Sequence, residues 1–229
     1  MALGLAEAGA DVTLVDVLPS SDTANQVRAL NRRAHMITTD LAAMTPTRAS
    51  EICDDCIANL GGLDILVNNA GIIKRAPALE HTDVDWRAVL DINLNAAWFL
   101  AQAAGRHMSA NGGGKIISTA SMMSFQGGLF VPGYTAAKSA IVGITHALAN
   151  EWAGLGINVN AIAPGWMTTE ITSSLRSDEA RSASILGRIP AGRWGTPEDL
   201  QGAVVFLASH ASDYLHGVVL PVDGGWLAR

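Results

Sequence analysis

Tyr134 and Lys138 lie four residues apart in PGYTAAKSAIVGITHALANEW, and Ser121 precedes the tyrosine by thirteen positions. The chain holds two tyrosines and three lysines, so a Tyr with Lys at i+4 arises by chance with a probability of about 0.03. Apolar residues at Ala140, Ile141, Ile144, Leu148 and Trp152 predict a helix, on which positions i and i+4 are neighbours one turn apart. One helix face therefore carries a phenol and an ammonium together. A free phenol titrates near pH ~10, and a cation held close favours its ionised form. A tyrosine tuned in this way can exchange a proton with an alcohol near neutral pH. The plainer reading, a surface tyrosine beside a solvated lysine, has to be weighed against the rest of the chain.

The elements that must position these residues are legible as six apolar, β-rich runs: 12–17, 35–40, 64–69, 115–120, 157–164 and 218–223. Each is bounded by Gly, Asp or Pro, and helical patterns lie between most of them. Strands with little polar alternation, separated by helices, predict a doubly wound α/β fold with a parallel sheet covered on both faces. Ligands of such sheets bind at the carboxyl ends of the strands. The residues there are Asp16, Asp40, the NNAG at 68–71, Ser121 and Pro164-Gly165. Asp16 directly follows VTLV, where a carboxylate can accept hydrogen bonds from the adenosine ribose of NAD and would repel the extra phosphate of NADP. No Arg or Lys follows until Arg28, which favours NAD over NADP. A turn or helix-capping aspartate is the alternative.

At 229 residues and 49% hydrophobic, the chain suits a single domain spanning 1–229, with no linker, repeat or low-complexity tract. It contains no run of 18 apolar residues and no charged-then-apolar leader, so the expected location is cytoplasmic, with no membrane association. A net charge of −6 argues against nucleic acid as a partner. The densest basic group, Arg28, Arg32 and Arg33, reads as a solvated helix face. Cys53 and Cys56 form a C-x-x-C inside a helical pattern with no second pair to complete a zinc site, so no metal is expected.

Together, Asp40-Leu41, NNAG (68–71), Asn93 in DINLN, Ser121, Tyr134 with Lys138, Pro164-Gly165 with Thr169, and VDGG (222–225) resemble the short-chain dehydrogenase/reductase family over essentially the whole chain. Each motif alone is weak; their order and spacing are specific. The resemblance implies a Rossmann-like fold with Tyr134 as catalytic acid/base. Lys138 would hold the nicotinamide ribose and lower the tyrosine pKa. Ser121 would hydrogen-bond the reacting oxygen, where alkoxide charge develops. Asn93 would hold a water linking Lys138 to solvent. For the cofactor, Asn69, Ala70 and Gly71 would lie against it, Asp40 with Leu41 would meet the adenine, and Pro164, Gly165 and Thr169 would border the nicotinamide. A homotetramer is also implied.

The resemblance breaks at the front. Family members begin with a strand and a T-G-x-x-x-G-x-G turn that sets the pyrophosphate at a helix N-terminus. MALGLAEAGADVTLVDV resembles the helix after that turn, and Gly4 and Gly9 do not replace the glycines. The expectation is a sequence incomplete or misassigned at its start. In the usual strand order that first strand is central, so two neighbours are expected to show unpaired backbone.

Within the family, SMMSFQGG (121–128), RIPAGRWG (188–195), ASDYLHG (211–217) and the ending VDGGWLAR resemble the NAD-dependent 2-dehydro-3-deoxy-D-gluconate 5-dehydrogenases, which act on a sugar acid. RIPAGRWG is common to much of the superfamily, and SMMSFQGG and WLAR carry more of the resemblance. Gluconate 5-dehydrogenases are the near alternative. A sugar acid needs a carboxylate ligand and hydroxyl partners. Arg75 and Arg176 are candidates for the first, Gln126 and Ser121 for the second, and Trp166 for a wall. Arg176 lies on a polar segment resembling the family's mobile flap. A 3-oxoacyl carrier-protein reductase fits less well, since Asp16 disfavours NADPH and no basic patch suits an acidic carrier. A non-catalytic binding or assembly remnant is opposed by the presence of Asn93, Ser121, Tyr134 and Lys138 together.

Overall fold

The computed structural model describes residues Met1–Arg229. In chain order the regular elements are α1 (Ala2–Glu7), β1 (Val12–Asp16), α2 (Ser21–Ala29), β2 (Ala34–Thr38), α3 (Pro46–Leu60), β3 (Ile65–Asn68) and α4 (Asp83–Leu90). They continue as α5 (Ala97–Ala110), β4 (Gly114–Thr119), α6 (Pro132–Trp152), β5 (Ile157–Pro164), α7 (Ser173–Ser177), α8 (Glu179–Leu186), α9 (Gln201–Ala208) and β6 (Val219–Val222). All six strands expected from the sequence form, each within two residues of its expected bounds. Local chemistry sets the helix ends. Thr45 caps α3 by accepting from Arg48 N, with Pro46 in its first turn, and Gly61 closes it at φ 87°.

Every strand pairing is parallel. The period of two along β4 sends Ile116 to one face and Ile117 to the other. On the first face Ile116, Ile157 and Val159 pack with Ala104 and Met108 of α5, Ile52 of α3 and Leu148 of α6. On the second, Ile117 and Ile162 meet Leu5 of α1 with Val204 and Leu207 of α9. Both faces are covered, which makes the fold a single doubly wound α/β domain.

The parallel strands form two pieces, β1-β2 and β3-β4-β5-β6. The edges of β1 and β3 carry no strand partner on the side away from β2 and β4. Residues of both strands line a cavity of about 780 Å³, so no β1–β3 ladder closes the sheet. β1 and β3 are the two neighbours whose backbone was expected to be unpaired. No helix is long and apolar enough to cross a membrane. Cys53 and Cys56 sit buried on α3 as free thiols, and burial pushes Cys53 up to about 11, far from a reactive thiolate. Arg33 is exposed, as expected of a solvated basic group, and it also pairs with Asp11 at 2.7 Å and donates to the carbonyls of Asn59 and Leu60.

Candidate active site

A cavity of about 950 Å³ opens at the carboxyl ends of β1, β3, β4 and β5. This is the upper end of the range for small-molecule and cofactor sites. Three segments bring the expected chemistry to it. β4 ends at Thr119, and two residues later Ser121 starts a short turn, its Oγ accepting from Met123 N at 3.1 Å. Helix α6 carries Tyr134 and Lys138 in its first two turns. The loop after β3 carries Asn69, Ala70 and Gly71.

Long-range hydrogen bonds fix these segments together. Ser124 Oγ donates to Lys138 O at 2.7 Å and accepts from Ser121 N at 3.2 Å, so one serine sets the Ser121 turn against α6. Asn93 sits in a π-helical stretch, Asp91–Ala96, between α4 and α5, a local widening often found at functional sites. Its Oδ1 accepts from Ile72 N at 2.8 Å and its Nδ2 donates to Ile72 O at 2.9 Å. Asn93 therefore pins the loop that carries Gly71. Both ends of the Asn93 side-chain amide are thus bonded to the backbone of Ile72. Phe130 precedes α6 with φ 64°, an uncommon value for a bulky residue, and its carbonyl accepts from Ala76 N at 3.0 Å.

Lys138 is buried, and its Nζ donates to Thr119 O at 2.6 Å. Nζ lies 5.7 Å from the Tyr134 ring centroid. Burial lowers the ammonium to about 8. Burial also pushes the Tyr134 phenol up, against smaller downward pulls from a hydrogen bond with Ser121 and the charge of Arg75. This reverses the direction expected from Lys138 alone, because desolvation of the phenolate exceeds the help of its neighbours.

Most sequence-selected residues meet in this one cavity. Asp16, Asp40, Leu41, Asn69, Ala70, Gly71, Pro164, Gly165, Thr169, Ser121, Gln126, Tyr134, Lys138, Arg75 and Trp166 all line it. Asn93 acts from behind the lining. Arg176, expected as a carboxylate ligand, is not there: on α7 it turns back toward Thr169 O at 3.4 Å. Trp166 proves to be wall and core at once, packing edge-on against Trp194 and Trp226 with centroids 5.7 Å apart in each pair. Sequence reasoning missed Arg181, Arg188 and Trp226, all of which line the cavity. The spacing in RSASILGR was the available signal for the two arginines; the φ of Phe130 left none.

The residues present fit a nicotinamide dinucleotide. A buried ammonium can donate three hydrogen bonds, and Lys138 makes one to protein, which leaves N–H groups for ribose hydroxyls. Asp16 Oδ1 accepts from Leu18 N at 3.0 Å, and Oδ2 has no protein partner. A Cβ on Gly71 would come within 3.3 Å of Asn93 Oδ1, and one on Gly165 within 2.6 Å of Asp223 Cα, so both positions pack against neighbouring protein atoms more closely than a side chain permits.

Comparison with known proteins agrees with this geometry. A family model described as enoyl-(acyl carrier protein) reductase matches residues 1–227. The chain is 54% identical over 230 residues to 2-dehydro-3-deoxy-D-gluconate 5-dehydrogenase of Escherichia coli K12, covering 100% of this chain and 90% of the relative. The namesake from Bacillus subtilis 168 is 49% identical, covering 100% and 89%. Among solved structures, a gluconate 5-dehydrogenase from Burkholderia cenocepacia in complex with NADP and tartrate matches with TM-score 0.93 at 38% identity, covering 100% of this chain and 90% of that one.

Proposed function

Because the chain belongs to the short-chain dehydrogenase/reductase family, an oxidoreductase family acting on CH–OH groups with a nicotinamide dinucleotide, we propose that it reversibly oxidises the C5 hydroxyl of 2-dehydro-3-deoxy-D-gluconate with NAD. The product is 3-deoxy-D-glycero-2,5-hexodiulosonate. The observation that carries the chemistry is the buried Lys138 beside Tyr134 and Ser121 in one cavity with unpaired arginines. The choice of sugar acid rests on the relatives at 49–54% identity.

A bound nicotinamide dinucleotide supplies the hydride acceptor that no side chain provides. Lys138 would hold its ribose, Asp16 its adenosine ribose, Asp40 and Leu41 its adenine, and Thr169 its carboxamide. In oxidation the Tyr134 phenolate takes the C5 hydroxyl proton, and Ser121 donates to the same oxygen as negative charge develops. In reduction Tyr134 returns the proton. The hydrogen bond with Ser121 and the charge of Arg75 offset part of the burial that opposes the phenolate. Asn93 positions this set by holding the loop at Ile72.

The test is NADH formation from NAD and 2-dehydro-3-deoxy-D-gluconate, run beside D-gluconate. Turnover faster with the first supports the assignment. Turnover of D-gluconate alone moves it to the gluconate 5-dehydrogenases, which the Burkholderia neighbour favours.

The NAD preference rests on Asp16. Removing its carboxylate takes away a charge-assisted hydrogen bond to the ribose and the repulsion of a 2′-phosphate. Asp16→Ala is expected to raise the KM for NAD about tenfold or more and that for NADP far less. Equal changes for both cofactors would remove Asp16 from this role.

A further inference from the structure

The fifteen Lys and Arg side chains are not equally engaged. Thirteen bond or pair with a protein acceptor, among them Arg75 with Ile171 O at 3.0 Å and Arg193 with Asp199 at 2.6 Å. The two without any such acceptor are Arg181 and Arg188, and both line the cavity that holds Tyr134. Arg181 lies on α8 and Arg188 in the turn that closes it, where Arg188 N donates to Ile185 O at 3.0 Å. Ser184 and Ile185, at the intervening i+3 and i+4 positions, line the cavity too. This edge of α8 is thus the one turned to the site. Ile185 anchors it, buried with Met122 and Ile189. Arg188 is further located by Trp226, whose buried ring lies 4.1 Å from the guanidinium carbon. Stacking fixes the plane of a guanidinium while leaving its N–H edge free for a bidentate acceptor.

We propose that the Arg181–Arg188 edge of α8, with Trp226 as the platform for Arg188, is the carboxylate-receiving face of the substrate cavity and determines selectivity for acidic over neutral polyols. This deepens the sugar-acid reading above and rests on it for the identity of the substrate. Arg75 differs from the pair because its guanidinium already ties the loop after β3 to Ile171. The carboxylate source is the substrate. The phosphates of the dinucleotide share this anion chemistry, and the test separates the two.

The experiment compares unmodified protein, Arg188→Ala, Arg188→Lys and Arg181→Ala. KM and kcat for 2-dehydro-3-deoxy-D-gluconate and for the cofactor are measured. Calorimetric titration with D-gluconate and with neutral D-glucitol, in the presence of cofactor, runs in parallel and needs no turnover. The expected result is a loss of roughly 10- to 150-fold in kcat/KM for the acid in Arg188→Ala, carried by KM. That corresponds to a charged hydrogen bond of about 1.5–3 kcal/mol at ~1.4 kcal/mol per factor of ten. Arg181→Ala should lose less, and Arg188→Lys should recover part of the loss as a point charge without the fork. D-Gluconate affinity should fall in step, with D-glucitol unaffected. An equal loss for acid and polyol would reduce the arginines to structural residues, and a rise confined to the cofactor KM would assign them to phosphate; either overturns the proposal, as would unchanged gluconate binding in Arg188→Ala. Failure of the unmodified protein to oxidise the keto acid while it still prefers gluconate to glucitol would overturn the substrate assignment and leave the arginine face standing.

Discussion

Tyr134→Phe is expected to abolish turnover in both directions while leaving the fold and cofactor binding intact. In the proposed mechanism the phenol carries the substrate proton: it lines the cavity beside Ser121, a weaker acid, and one turn from Lys138, whose Nζ donates to Thr119 O at 2.6 Å. General acid–base catalysis is commonly worth 10²–10⁴-fold, so kcat should fall by at least ~10³. Packing should change little, since the substitution removes one oxygen from a half-buried ring and keeps the ring itself. The check is a turnover assay paired with cofactor titration and a melting curve. Retained turnover at a tenth of the original rate would transfer the acid/base role elsewhere, with Ser121 first to be examined. A collapse in Tm would show that the hydroxyl holds structure, and the kinetic loss could then not be read as chemistry.

Lys138→Met should separate stability from activity. The ordinary lysine value is 10.5, and burial brings this one to about 8. Between those pH values the unfolded chain binds more protons than the folded one, so stability rises with pH across the window. Below pH ~8 the full cost of burying the ammonium is present, on the order of 3 kcal/mol. Methionine fills much of the same volume without charge, and loses one hydrogen bond of about 1 kcal/mol. The net expectation is a gain of about 1–2 kcal/mol at neutral pH, or about 3–6 °C in Tm for a chain of this length. The pH-dependent rise in stability above 8 should vanish with it. Activity should be lost, because the ribose loses its buried donor and the phenolate its nearby cation. Melting curves from pH 7 to 10, beside cofactor titration, decide the matter. A lower Tm in the variant would mean that the ammonium is stabilised by more than Thr119 O. This pairing of a costly buried charge with function is the usual pattern at sites where activity needs a strained arrangement.

Much of the molecule was legible without coordinates because it depends on short-range rules. The Tyr134–Lys138 pair follows from helical spacing alone, and all six strands follow from apolar runs cut by Gly, Asp and Pro. The rule that ligands gather at strand carboxyl ends placed Asp16, Asp40, Ser121 and Pro164-Gly165 in one cavity, where they lie. Arg75, Gln126 and Trp166 were placed by the same rule or by nearness to Ser121.

The remainder depended on distance through space, which spacing along a chain does not encode. Which arginine faces the cavity turned on the orientation of α7 and α8: Arg176 folds back on Thr169, whereas Arg181 and Arg188 point their shared edge inward. Ser124 gained its bracing role only when β4 and α6 met. The direction of the Tyr134 shift followed suit, since desolvation is set by everything packed around the phenol and the i+4 lysine is only one neighbour. By itself the sequence determined the chemical groups and their local order along helices and strands; tertiary packing decided which of them share a cavity, which carry unpaired charge, and how easily each gains or loses a proton.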